Sequence, residues 1–151
     1  MAAAATGGAE AAARYLFVYG SLRPDDNSGQ SWTTSFVEDF TFSKKARVRG
    51  AKMFRDTYAS VTLDGEKEEF VHGWVLGFAE HDEAKWGNKL NEADMIEGYN
   101  AKDPPSGLYE RGVITAVLED GGSVQAYIYH RPRCNRATRI PSGNWLDRPQ
   151  G

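Results

Sequence analysis

The chain has 151 residues, 40% of them hydrophobic and 26% charged, with a formal net charge of −3. That length supports one domain with its own core and little beyond it, in the composition of a globular protein. The slight negative charge gives no overall attraction to nucleic acid or an anionic membrane, and a single cysteine, Cys134, excludes an internal disulfide and any cysteine-based zinc site.

Residues 1–13 are rich in Ala and Gly but lack the basic start and Leu-rich centre of a signal peptide, so they read as a disordered tail. No apolar run approaches the roughly 20 residues of a membrane helix. With a lone, unframed thiol, the natural compartment is the reducing cytoplasm. Tyr15 to Tyr19 is a run of large apolar residues that fits a buried strand, and it stops at the small pair Gly20-Ser21. Such a switch from strand to loop can turn backbone N–H groups toward a carboxylate or a developing oxyanion.

A polar stretch follows, with a short helix predicted around Ser31 to Asp39. Thr41 to Phe54 reads as one extended segment, with Ala46, Val48 and Gly50 on one face and Lys45, Arg47 and Arg49 on the other. Ala59 to Leu63 is a further strand, closed by the turn pair Asp64-Gly65. Phe70 to Phe78 is a strand whose Gly73 and Gly77 predict a bulge or strong curvature.

Helix formers occupy Asp82 to Asn88 and Asn91 to Glu97, and Gly98 is placed to end the helix. Pro104 to Gly107 is a loop. Tyr109 to Glu119 and Val124 to His130 alternate in polarity, and Asp120-Gly121-Gly122 joins them as a hairpin. Asp147 to Gly151 reads as a loose end. The order predicts a single α+β domain over residues 14–146, built on a curved sheet or small barrel.

Glu97 stands out chemically. At a helix end among Met95, Ile96 and Tyr99, it is either a solvated carboxylate or a partly desolvated one, whose raised pKa suits a general acid/base near neutrality. Asp94, one turn earlier, reads as structural. Tyr127 and Tyr129 share one face of their strand, so either or both can reach a cavity there. Arg111 fits either a substrate carboxylate or the edge of the sheet. His72, His81 and His130 form no convincing ligand cluster.

Phe17-Val-Tyr-Gly-Ser-Leu-Arg23, Glu97-Gly-Tyr99, Gly107-Leu-Tyr-Glu-Arg111 and Ile140-Pro-Ser-Gly-Asn-Trp145 occur in that order. From Tyr15 to Trp145 the chain thereby resembles the gamma-glutamylcyclotransferase-like superfamily, in particular the branch of gamma-glutamylamine cyclotransferase and the plant avirulence-induced proteins. The resemblance implies a small mixed β-barrel flanked by short helices. It also implies a cofactor- and metal-free reaction in which the α-amine of a γ-glutamyl compound attacks its own γ-carbonyl, releasing 5-oxoproline and an amine or amino acid.

Glu97 matches the family's catalytic glutamate. Val18, Tyr19, Gly20, Ser21 and Leu22 match its substrate strand and loop, and Tyr109 matches a tyrosine near the pocket, though an ordinary barrel aromatic fits there equally. Tyr127 is taken as a further substrate contact. The expected partner is a small γ-glutamyl molecule, with no nucleic acid and no membrane, bound by a monomer or homodimer. Leu22 stands where the glutathione-pathway branch has Asn, which points to a different leaving group from the usual γ-glutamyl amino acid. The Pro-rich Asn100 to Gly107 loop and the small Ala93 also depart from the pattern. Two rival readings are a non-catalytic binder on the same fold and a nucleic-acid contact through the Arg-rich segment 130–139, whose alternative is a solvated loop balancing acidic neighbours.

Overall fold

The computed structural model describes residues 13–25, 31–56, 58–80 and 82–148. In chain order its elements are β1 (Leu16–Val18), α1 (Ser31–Glu38), β2 (Phe42–Arg49), β3 (Lys52–Asp56), β4 (Tyr58–Thr62), β5 (Phe70–Gly77), α2 (Glu83–Glu97), β6 (Glu110–Leu118) and β7 (Ser123–His130). Single 3-10 turns lie at Pro104–Ser106 and Trp145–Asp147. None of the described helices is long and apolar enough to cross a membrane.

Five strands close into a barrel in the order β1-β5-β2-β6-β7. An odd ring cannot be antiparallel throughout, and the parallel seam falls between β1 and β7, where Leu16 faces Tyr127. This is the mixed barrel with flanking helices that the resemblance implies. Ala46 and Val48 of β2 point inward with Phe17, Val71, Val75, Ala126 and Ile128, while Lys45, Arg47 and Arg49 stay exposed, as the alternation predicts. The outer face of β1 and β7 is covered instead by the helices, where Leu16, Val18 and Tyr127 pack with Phe36 of α1 and Trp86 and Ala93 of α2.

The extended segment expected over Thr41 to Phe54 is two strands in two sheets. Gly50 adopts φ 76°, a left-handed turn open to glycine, and sends β3 out of the barrel to pair with β4. The glycines of β5 make no bulge against β2, since their register runs unbroken from Phe42–Gly77 to Arg49–Phe70. Gly73 serves close approach: a Cβ there would stand 2.2 Å from the Val18 carbonyl oxygen, across the β1–β5 pair.

α2 is one continuous helix. Asp82 caps its start by accepting from the Lys85 N–H at 3.1 Å, and Gly98, at φ 68°, caps its end. Ala93 is fully buried against the barrel, so its small size matches a close crossing. The expected tail 1–13 lies outside the described residues except for Ala13, which is buried. Of the expected tail 147–151, Asp147 accepts from the Ser142 hydroxyl and Arg148 stacks over Trp145, while 149–151 lie outside the described residues. His81 also lies outside them.

Candidate active site

β1 ends under the helices, and the loop that follows it runs to Arg23, whose amide closes the turn on the Gly20 carbonyl at 3.1 Å. The buried Arg23 guanidinium holds Asp25 through two bonds of 2.8 Å and donates to Asn144 at 2.8 Å, so the loop is tied to the C-terminal segment. Gly20 is needed for packing as well as turning, because a Cβ there would approach the Ala59 methyl to 3.0 Å. The loop thus forms one wall of a cavity of about 610 Å³.

Val18, Tyr19, Gly20, Ser21 and Leu22 all line that cavity, as do Glu97 and Tyr109. Tyr127 does not. It stacks on Trp86 at 6.3 Å beneath α2, with the Arg111 guanidinium 4.9 Å from its ring, and its neighbour on the same face, Tyr129, lines the cavity instead. One strand face carried both tyrosines; the position of α2 along it decides which is covered.

Glu97 is the last residue of α2, held at the cavity by the cap that ends the helix. Burial pushes its carboxyl up from 4.5 to about 7. Although the whole residue is only half-buried, the raised pKa fits a carboxyl that faces the enclosed cavity rather than bulk solvent. Tyr19, Tyr109 and Tyr129 surround it: each phenol is raised chiefly by burial, with the Glu97 charge contributing.

All three hydroxyls are committed elsewhere. Tyr19 donates to the Tyr129 carbonyl, Tyr109 donates to the Ala59 carbonyl at 2.6 Å, and Tyr129 donates to Asp94 Oδ1 at 2.5 Å. A hydroxyl has one proton to give, so none donates to Glu97. The Tyr109 hydroxyl is thus not bonded to Glu97 and braces β4 instead.

Asp94 is structural in this geometry. Its other oxygen pairs with Arg111 at 2.6 Å, and that guanidinium is sandwiched between the rings of Tyr99 and Tyr127. Arg111 thus bonds α2 to β6 and does not face the cavity. The remaining lining includes Arg55 and Tyr58 of the β3–β4 hairpin, Leu108, and Trp145 and Arg148 of the C-terminal segment. Trp145 belongs to a motif visible in the sequence. Arg55 and Tyr58 carry no local signal, because they reach the cavity only through the docking of a separate sheet, fixed where the Arg55 amide meets the Thr138 carbonyl at 2.8 Å.

The Arg-rich segment is engaged within the fold. Arg131 faces Asp56 at 3.3 Å, Arg136 faces Asp64 at 2.9 Å, Arg133 faces Glu110 at 3.7 Å, and Arg139 pairs with Glu69. This is a loop balancing acidic neighbours rather than a continuous basic face. Among the described residues no three His, Cys, Asp or Glu side chains converge as a metal ion would require. Cys134 is buried, and that burial pushes its thiol up.

A family profile described as "Gamma-glutamyl cyclotransferase, AIG2-like" matches residues 16–147. No curated protein sequence matches. Among solved structures, YkqA from Bacillus subtilis is 22% identical with a TM-score of 0.58, over 87% of this chain and 39% of that one. The chain therefore spans well under half the length of YkqA. At5g39720.1 from Arabidopsis thaliana is 22% identical with a TM-score of 0.54, over 80% of this chain and 69% of that one. A structure named gamma-glutamyl cyclotransferase is 17% identical with a TM-score of 0.56, over 85% of this chain and 70% of that one. At such identities the shared property is the fold.

Proposed function

We propose that this chain, which belongs to the AIG2-like gamma-glutamyl cyclotransferase family, cyclises a small γ-glutamyl compound to 5-oxoproline with Glu97 as its general acid/base. The observation that carries the reading is Glu97, the one acidic side chain among the described residues that line the cavity, with its pKa raised to about 7, in the same lining as the loop Tyr19 to Leu22. A carboxyl tuned near the working pH can both accept and return a proton.

In that scheme the Glu97 carboxylate removes a proton from the substrate's α-ammonium. The freed nitrogen lone pair attacks the γ-carbonyl carbon, closing the five-membered ring, and the backbone of the loop stabilises the oxygen that becomes negative. The tetrahedral carbon then expels the leaving nitrogen, which takes a proton from Glu97. The bond formed joins the α-nitrogen to the γ-carbonyl carbon (Cδ), and the bond broken joins that carbon to the leaving nitrogen. The second proton of the ring nitrogen passes to the departing amine, which leaves as an ammonium, and the carboxylate is regenerated. Nucleophile and carbonyl belong to one molecule, so the cavity's main work is to hold the folded rotamer.

Incubation with γ-glutamyl amino acids, γ-glutamylamines and γ-glutamyl-ε-lysine, with detection of 5-oxoproline, tests the reaction. Glu97→Gln keeps the shape and removes the base, with an expected loss of about 10²- to 10⁴-fold in kcat. Undiminished turnover by that variant would sink the mechanism.

A further inference from the structure

The arginines of segment 130–139 are answered by acids, but the cations of β2 are not. Lys45, Arg47 and Arg49 alternate along that strand and stand exposed on the outside of the barrel. None of the three pairs with a carboxylate among the described residues. Alternate residues of a strand lie about 6.6 Å apart, so these cations form a row of even pitch. The register sets a ring on β5 opposite each one: Trp74 faces Lys45, His72 faces Arg47 and Phe70 faces Arg49. Val71 and Val75 point into the core, so the three rings share the outer face with the cations.

The cations rest on those rings. The Arg47 and Arg49 guanidinium carbons lie 4.6 and 5.0 Å from the centre of the Phe70 ring, and the Lys45 ammonium lies 5.9 Å from that of Trp74. Such contacts hold long side chains along the sheet and leave their charge unneutralised. Three acids around the face are engaged elsewhere: Asp25, beside Trp74, pairs with Arg23 at 2.8 Å, Asp120 with Lys44 at 2.7 Å, and Glu69 with Arg139. Glu119, whose amide donates to the Lys45 carbonyl at 2.9 Å, bounds the row at that end.

A row of unpaired cations set against rings suits a partner that repeats an anion and a flat group at a similar pitch. An extended single strand of nucleic acid does so, with phosphates on the cations and bases against the rings and guanidinium planes. An anionic membrane fits less well, because Phe70 and Trp74 are half-buried and do not project for insertion. An acidic peptide would leave the rings unused. We propose that the outer face of β2 and β5 binds single-stranded RNA. RNA is favoured over DNA because its loops and ends are ordinarily unpaired. None of the six residues lines the cavity, so the surface is independent of the cyclotransferase reading. The net charge of −3, which gives no overall attraction to nucleic acid, masks this local row.

The test is fluorescence anisotropy of a labelled oligouridylate of about twelve nucleotides, titrated with the full chain. The expected Kd is about 10 µM in 50 mM salt, and three phosphate contacts should weaken it about fifteenfold by 200 mM. Lys45→Gln/Arg47→Gln/Arg49→Gln should weaken binding at least tenfold and flatten the salt dependence, with a melting temperature within a few degrees of the unmodified protein's. An abasic strand of the same length should bind the unmodified protein about fivefold or more weakly, for want of stacking. No binding in 50 mM salt, or full binding by the triple variant, overturns the proposal. Equal binding of the abasic strand, of polyglutamate or of vesicles one-third phosphatidylserine shows recognition of charge alone and overturns RNA as the partner, as does tighter binding of oligothymidylate. Should the triple variant melt early, the salt dependence and the abasic comparison in the unmodified protein decide.

Discussion

At the scale of single residues, the proton-transfer role proposed for Glu97 depends on where its helix stops. A carboxylate one turn earlier, Asp94, is paired with Arg111 and Tyr129 and is spoken for. Glu97 receives no tyrosine proton, and burial raises it to about 7. The sign for activity follows: the base form dominates only above that value, so kcat/KM should rise with pH through an apparent pKa near 7 and fall on the acid side. A pH profile read by 5-oxoproline release checks this, and an acid limb near 4.5 would contradict it. Tyr109 makes a different prediction. Its hydroxyl satisfies the buried Ala59 carbonyl, so Tyr109→Phe should cost about 1–2 kcal/mol of unfolding free energy in denaturant melts. Tyr127 and Tyr129 show what single-residue reading can and cannot resolve. Period-two alternation puts both on one face, and only the position of α2 along that face covers one and leaves the other at the cavity.

At the scale of elements, α2 is a positioning device. Its barrel-facing side carries Trp86 and Ala93, and its C-terminal turn is pinned by the Asp94 contacts to β6 and β7. Tyr129 joins two parts of the site: its hydroxyl holds α2, while its carbonyl accepts from Tyr19 at the start of the loop. Tyr129→Phe keeps the ring and the carbonyl but releases Asp94. It should lower kcat by about tenfold with a smaller change in KM, since the loop stays in place while Glu97 loses its register. Equal losses in kcat and in thermal stability across a Tyr129→Phe and Asp94→Asn pair, with an unchanged pH profile, would mark a merely structural role. Lys89 secures the other side of the helix. Nearly buried, it donates to the Phe36 carbonyl at 2.8 Å and pairs with Asp39 and Glu92, bonding α2 to the end of α1. The caps of α2, Asp82 and Gly98, are legible in the sequence because capping is local chemistry. The same holds for the β6–β7 hairpin and its Asp120-Gly121-Gly122 turn. The β3–β4 sheet was not legible as a separate body, since the departure at Gly50 matters only once β5 has taken the other side of β2. Arg55 and Tyr58 were missed for that reason.

At the scale of the whole molecule, the barrel and its covering helices enclose a cavity whose charge state is coupled to folding. Glu97 binds a proton more tightly folded, at about 7, than as an exposed carboxyl near 4.5. Between those values the native state holds more protons than the unfolded chain, so stability falls as pH rises through the window and levels off above it. Each pKa unit is worth about 1.4 kcal/mol, which puts the full penalty at roughly 3 kcal/mol above neutrality. Glu97→Gln removes the ionisation without changing the shape. Its melting temperature should match that of the unmodified protein near pH 4 and exceed it by several degrees at pH 8, at about 2–4 °C per kcal/mol for a chain of this size. The variant that loses turnover should thus be the more stable protein at neutral and alkaline pH. A difference in melting temperature that stays constant from pH 4 to pH 8 would mean that Glu97 is solvated in the folded state, and would remove the basis for its role as the proton-transfer group.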